Sequence, residues 1–182
     1  MMNKRPFPVL TTRRLLLNRP TEDDLDDLLY LMNSNKDISE NTLSIPYPYT
    51  KENADFWFTM IEEGLHHENA FIFAIREKEK EKLMGAIGIH LDISNRKAEV
   101  GYWIGQDFRN KGYVSEALEK IIYFGFEELG LNKIYASHYS HNPASGKVLQ
   151  NCGMHYEGVQ KQHIFKNGQF LDLVNYGLLR EG

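Results

Sequence analysis

Two periodicities alternate along this chain, and their order predicts a fold before any residue is asked about chemistry. Residues 14–19 (RLLLNR), 70–76 (AFIFAIR), 83–91 (LMGAIGIHL) and 97–104 are short runs of aliphatic, aromatic and β-branched side chains, the mark of strands. Leu25, Leu28, Leu29 and Met32 instead recur at helical spacing. So do Phe56, Trp57, Met60 and Ile61, and later Val114, Leu118, Ile121, Ile122, Gly125 and Leu129. Turn and cap residues divide these runs. Pro20 closes the first strand, and Thr21 with Glu22, Asp23 and Asp24 opens the first helix; Thr50 caps the second. The run EKEKEK at 77–82 predicts a solvated hairpin turn. Gly85, Gly88 and Gly101 mark bulges or close approaches within strands.

Downstream, Gly130 terminates the third helix, and 133–138 is another strand. Strand–helix–strand of this kind predicts a right-handed parallel crossover. Asn142-Pro143 starts a short helix that Gly153 stops. Segments 154–165 and 170–179 flank Asn167-Gly168, a tight hairpin signal. The predicted order is βααβββαβαββ, one α/β domain of the α+β type with a mixed central sheet. It spans residues 12–180 behind a loose lead-in of 1–11. The connection 34–49, with Pro46, Tyr47 and Pro48, is long enough to carry recognition.

Composition narrows the classes. A chain of 182 residues with 42% hydrophobic and 25% charged positions supports one domain with a full core. Its net charge is −4 and its pI about 6.0, with basic residues scattered, so no basic field invites nucleic acid. Apolar runs are too short for a bilayer span, and MMNKRPFPVL has no apolar leader segment; a cytoplasmic protein is expected. Cys152 is the single cysteine, which excludes an internal disulfide or a multi-thiolate metal site. His90, His138, His141 and His155 show no metal-ligand spacing, so no metal is expected.

Chemistry concentrates in residues 99–118, EVGYWIGQDFRNKGYVSEAL. A strand leads into a basic, glycine-containing loop and then a helix start. Unpaired N–H groups and the helix dipole there favour an anion such as a phosphate ester. Neither GxxxxGK[ST] nor GxGxxG at the first strand–helix junction is present, which argues against kinase- or ATPase-type nucleotide binding. Arg109-Asn110-Lys111-Gly112-Tyr113-Val114 resembles the coenzyme A pyrophosphate loop of the GNAT N-acetyltransferase superfamily, Arg/Gln-x-x-Gly-x-Gly/Ala, with Val114 in place of the final small residue. The flanking Ala98-Glu99-Val100-Gly101-Tyr102-Trp103-Ile104, Asn142-x-x-Ser145, Asn151-Cys152-Gly153-Met154, Glu157-Gly158 and the strand of Asp172 resemble the RimJ/RimL-type subgroup that acetylates ribosomal-protein N-termini. The likeness runs over about residues 12–180.

The resemblance implies acetyl-CoA as co-substrate and assigns roles. Backbone amides from Arg109 through Asn110, Lys111, Gly112, Tyr113, Val114 and Ser115 would hold the pyrophosphate, with Arg109 and Lys111 adding positive charge. Ser115 either contacts a phosphate or caps the helix. Tyr102, Trp103 and Ile104 would line the pantetheine arm, and an N–H near Trp103 or Ile104 would face the thioester oxygen. Glu99 is the expected general base, with a strand-end salt bridge to Arg96 or Lys97 as its plainer alternative. Ser145 is the expected partner of the leaving thiolate, with Tyr139 and Tyr156 as substitutes; Asn142 either orients the pantetheine or only caps its helix. Cys152 reads as a small filler rather than a nucleophile.

The implied reaction is direct attack of a primary amine on acetyl-CoA in a ternary complex. The acceptor is open among a protein N-terminus, polyamines, free amino acids and aminoglycoside-like amines. A catalytically silent coenzyme A-binding module is the alternative, and a homodimer is compatible with either reading.

Overall fold

The computed structural model describes residues 6–181. The chain runs β1 (Leu10–Thr11), β2 (Leu15–Asn18), α1 (Leu25–Asn33), α2 (Asp37–Asn41), α3 (Lys51–His66), β3 (Ala70–Glu77), β4 (Leu83–Asp92), β5 (Lys97–Ile104), α4 (Tyr113–Tyr123), β6 (Lys133–Tyr139), α5 (Pro143–Asn151), β7 (His155–Lys166) and β8 (Gln169–Leu179). One eight-stranded sheet of order β1-β2-β3-β4-β5-β6-β8-β7 results. Every neighbouring pair is antiparallel except β5 and β6, the two strands joined through α4. No helix among the described residues is long and apolar enough to cross a membrane.

Period-2 alternation sends side chains to two separate cores. Phe71, Phe73, Ile75, Ile87, Ile89 and Val100 meet Ala117, Leu118 and Ile121 of α4 and Leu149 of α5 on one face. Ala74, Ala86 and Trp103 meet Leu28, Leu31 and Met32 of α1, Ile38 of α2 and Ala54 of α3 on the other. β4 is covered on both sides, so Leu83 to Ile89 are buried without interruption. Burying a leucine or isoleucine is worth roughly 1.5–3 kcal/mol, so these two cores carry much of the stability.

β5 divides the sheet. With β4 it pairs along its whole length, from Asp92↔Lys97 to Gly85↔Ile104. With β6 it pairs only at Lys97↔Lys133, Ala98↔Ile134 and Glu99↔Tyr135. Beyond Glu99 the two strands part, while β6 continues in register with β8 as far as Tyr139↔Leu173. The sheet is therefore split at its middle.

The element order agrees with the pattern reading, with four local departures. Upstream of residue 12 the chain is not loose throughout: Leu10 and Thr11 pair with Leu17 and Leu16, and Phe7 packs on the core. Residues 1–5 of the expected lead-in lie outside the described residues. The 34–49 connection contains α2, anchored by the buried Ile38. In α3 the expected stripe is rotated: Phe56 and Met60 are exposed, and Ala54, Ile61 and Gly64 face inward. Close packing sets that choice, since a Cβ on Gly64 would come within 2.9 Å of the Ala70 Cβ. Finally, α4 widens into a π-helical turn over Phe124–Glu128 before Gly130, with the tight spot at Gly125, whose Cβ would meet Ile134 at 2.7 Å.

Predicted caps and turns are present. Thr50 and Asn53 form a capping box, and Asn142 accepts the Ser145 amide at 3.3 Å. Asn167 and Gly168 both have positive φ, 50° and 77°, as the two-residue hairpin demands. Gly85 is a close approach: a Cβ there would lie 2.3 Å from the Trp103 carbonyl oxygen.

Candidate active site

The split in the sheet opens at the C-terminal end of β5, where the chain enters the basic loop. A 3-10 turn over Gln106–Phe108 leads to Asn110 and Gly112, both with positive φ (58° and 75°), and Gly112 is the N-cap of α4. Among the described residues, the amides of Asn110, Lys111 and Gly112 donate to no other group. They adjoin the first amides of α4, which a helix cannot satisfy internally. A row of free N–H groups at a dipole's positive end is suited to a diphosphate. Val114 is only 9% exposed, so its isopropyl group is packed inward rather than standing over the loop.

The charged side chains of this loop are spent on its own support. Arg109 pairs with Asp37 of α2 at 2.7 Å, and Lys111 Nζ donates to the Asp107 carbonyl at 2.8 Å. Asn35 Nδ2 donates to Gln106. From the other side, Arg14 donates to the Lys111 carbonyl at 2.9 Å, lies 4.6 Å over the Tyr113 ring, and pairs with Glu116 at 2.6 Å. Glu116 also accepts from the Arg14 amide and from Thr12. Burial opposes its ionisation, yet Thr12 and Arg14 together hold its carboxyl below the usual range. Arg14 and Glu116 were invisible to the sequence reading. Residues about a hundred positions apart give no local signal, and Arg14 read only as the edge of a strand.

Strand geometry distinguishes the two amides proposed for the thioester oxygen. The Gly105 amide donates to Met84 of β4 at 2.9 Å. Amides alternate sides along a strand, so those of Gly101 and Trp103 also face β4, where they pair with Gly88 and Ala86. Those of Tyr102 and Ile104 face the split. Trp103 contributes by packing instead: its side chain fills the core between α1 and α3, 6.5 Å from the Trp57 ring.

Glu99 is the last residue of β5 paired with β6, at the foot of the split. It is exposed, opposite His90 on β4 and Tyr135 on β6. Neither expected salt-bridge partner reaches it: Arg96 bonds the Gly130 carbonyl, and Lys97 lies 3.6 Å from Asp92. Loss of hydration holds His90 below the usual imidazole range, against the pull of Glu99. The Tyr135 phenol is raised, first by burial and then by Glu99.

On the opposite face, Ser145 stands in the first turn of α5. Its Oγ is 2.8 Å from the Tyr102 hydroxyl, which also reaches the Ser145 carbonyl at 3.2 Å. The side-chain carbonyl of Asn142 is engaged with the Ser145 amide. Ser115 offers its carbonyl to Cys152 Sγ at 3.5 Å. Burial lifts the Cys152 thiol to about 11, which suits a packed filler. Of the two substitutes for Ser145, Tyr139 is buried with its hydroxyl unpartnered, and Tyr156 is exposed on β7. Among the described residues no three His, Cys, Asp or Glu side chains converge on a metal position.

The chain matches the acetyltransferase (GNAT) domain over residues 14–155. It is 32% identical to the uncharacterized N-acetyltransferase YoaA of Bacillus subtilis, covering 96% of this chain and 98% of that one. It is 24% identical to the ribosomal-protein-serine acetyltransferase of Escherichia coli, over 92% and 94% of the two chains. RimL, a ribosomal α-N-protein acetyltransferase solved in complex with coenzyme A, superposes with a TM-score of 0.87 at 18% identity, over 94% of this chain and 98% of that one. The split sheet, the free amides of the loop and these matches together place the chain in the GNAT acetyltransferase family, as an acetyl-CoA-dependent N-acetyltransferase.

Proposed function

We propose that this enzyme acetylates a polypeptide N-terminal amine in the cytoplasm, by direct transfer within a ternary complex. One observation carries the reading: Glu99, a carboxylate without an ion-pair partner among the described residues, stands at the foot of the split, on an exposed sheet face rather than in a closed pocket. A small amine would call for an enclosing site; an extended chain end needs an open one. The names of the Escherichia coli relative and of RimL point to the same acceptor class.

In this reading the residues divide the work. The amides of 110–115 hold the diphosphate, and the Tyr102 amide meets the pantetheine arm as an added strand would. Acetyl-CoA supplies the activated thioester. Glu99 takes the proton that an ammonium must lose before it can attack, directly or through one water. The Ile104 N–H faces the thioester oxygen as negative charge gathers there, a contact worth roughly 2.7–4 kcal/mol in comparable oxyanion sites. Ser145 meets the sulfur as the carbon–sulfur bond breaks.

Thiol release from acetyl-CoA tests the acceptor. Peptides with free N-terminal serine or alanine, spermidine, free amino acids and an aminoglycoside would be compared. The expected result is a kcat/KM for a terminal peptide at least tenfold above the rest, with the acetyl group located on the α-nitrogen by mass spectrometry. Preference for spermidine or an aminoglycoside would overturn the acceptor class. Tight binding of acetyl-CoA without turnover of any amine would favour the silent module.

A further inference from the structure

We infer that Tyr102 is a positioning residue for Ser145, orienting the serine hydroxyl toward the sulfur of the departing coenzyme A. This rests on the reading of Ser145 as the group that meets the sulfur, and goes beyond it by assigning a role to the Tyr102 side chain.

Tyr102 comes from β5 and Ser145 from α5, 43 positions apart, yet their hydroxyls lie 2.8 Å from one another. Either can donate. If Ser145 donates to Tyr102, the serine proton is occupied and the phenol donates to the Ser145 carbonyl at 3.2 Å. If Tyr102 donates to Ser145 Oγ, the serine proton is free to point elsewhere. A thiolate only accepts, so a developing negative charge on sulfur selects the second arrangement. The relay is cooperative, because an Oγ that accepts from a phenol is a stronger donor.

The surroundings keep this orientation available. Burial raises the phenol well above its ordinary range, so it stays protonated and able to donate at neutral pH. The other titratable group facing it, Cys152, is lifted to about 11 and remains a neutral thiol. Asn142 fixes the Ser145 amide, so the serine backbone cannot drift while its hydroxyl rotates. Bond changes balance simply. As nitrogen bonds to the acetyl carbon and the carbon–sulfur bond breaks, the electron pair goes to sulfur. The Ser145 proton hydrogen-bonds to it without leaving oxygen and the Tyr102 proton stays on the phenol. The amine's first proton has already passed through Glu99 to solvent before attack, and the second, shed from nitrogen as the amide forms, goes to the Glu99 carboxylate.

The experiment compares the full-length enzyme with Tyr102→Phe, Ser145→Ala and the double variant. For each, the affinities for coenzyme A and for acetyl-CoA are measured from pH 6 to 9. The two ligands carry the same phosphates, so their ratio isolates the thiol. In the wild type this ratio should rise with pH as the bound thiol ionises against its donors. Tyr102→Phe is expected to lose roughly threefold to tenfold of that rise, the equivalent of one hydrogen bond. Its acetyl-CoA affinity and its melting temperature should hold, since one oxygen is removed and the ring remains.

If the tyrosine acts through the serine, the double variant should match Ser145→Ala alone. A normal rise in Tyr102→Phe beside a flattened one in Ser145→Ala would overturn this inference only. Additive losses would do the same. A normal rise in Ser145→Ala would remove the serine role and the inference with it.

Discussion

β4 and β7 lie on opposite sides of the split and in opposite environments. Seven consecutive residues of β4, Leu83 to Ile89, are buried between two helical layers. Almost every residue of β7 is exposed, and it forms the outer edge of the sheet. Beyond its pairing with β8, the outer strand β7 is tied to the rest by few side chains. Lys133 pairs with Glu157 at 2.6 Å, and Lys166 Nζ donates to the Ser39 and Thr42 carbonyls at the end of α2. The lesson is mechanical. β5, with the loop and Glu99 on it, is attached to the half buried between two helical layers, which is expected to be the immobile one. In the far wall β8 is held along β6, and only the exposed outer strand β7 is expected to cost little to displace. In the proposed function, acetyl-CoA is held by the first wall and the acceptor meets the second.

The strongest way to break this contrast is to weaken the immobile half itself. Arg76 and Asp24 form a doubly bonded pair, at 2.6 and 2.7 Å, with both side chains less than a tenth exposed. Asp24→Ala strands a buried guanidinium, which should cost about 3–5 kcal/mol. Thermal denaturation should show a Tm roughly 10 °C lower. A change of a degree or two would mean that the pair does not brace this half.

Next in size is Glu99→Gln, which should leave the fold intact and remove the proposed base. Turnover should fall roughly a hundredfold or more, with acetyl-CoA affinity unchanged and the base's limb gone from the pH–rate profile. An unaltered rate and profile would take Glu99 out of the chemistry. Smaller still is Lys166→Ala on the adjustable wall. It should raise the acceptor KM a fewfold, in line with about 1 kcal/mol for a hydrogen bond, and leave the Tm and the acetyl-CoA KM as they were. If instead the acetyl-CoA KM moved, the two walls would not be independent.

Which of these residues the sequence announced follows from locality. Thr50, Asn142-Pro143, Asn167-Gly168 and the loop at 109–112 each state their structure within a few positions, and all four are found as read. The stripe of α3 misled because aromatic size suggested burial at Phe56, whereas the sheet surface admits only small residues such as Gly64. α2 is too short for a periodic signal and is held by tertiary bonds from Arg109 and Lys166. Arg109 and Lys111, expected to add positive charge beside the phosphates, also brace the loop through Asp37 and the Asp107 carbonyl, partners that no local pattern announces. Pairwise contacts such as Arg14–Glu116 and Tyr102–Ser145 exist only once the chain has folded.

The finest test of the contrast uses Cys152, packed on the immobile side between α4 and α5. Its thiol donates to the Ser115 carbonyl at 3.5 Å, and burial lifts it to about 11. A thiol raised this far carries, at pH 8, about a hundredfold less thiolate than an ordinary one, and thiolate is the species that alkylates. Iodoacetamide should therefore label the native enzyme slowly at pH 8, with a rate that keeps climbing through pH 9 and is still rising near 11. The denatured chain should react at the ordinary rate. Cys152→Ala should turn over normally, because a neutral, packed thiol has no part in direct transfer to an amine. Rapid labelling at pH 8 would show that this side opens as readily as the outer strand does, and the division between a fixed and an adjustable wall would fail where it is most easily measured.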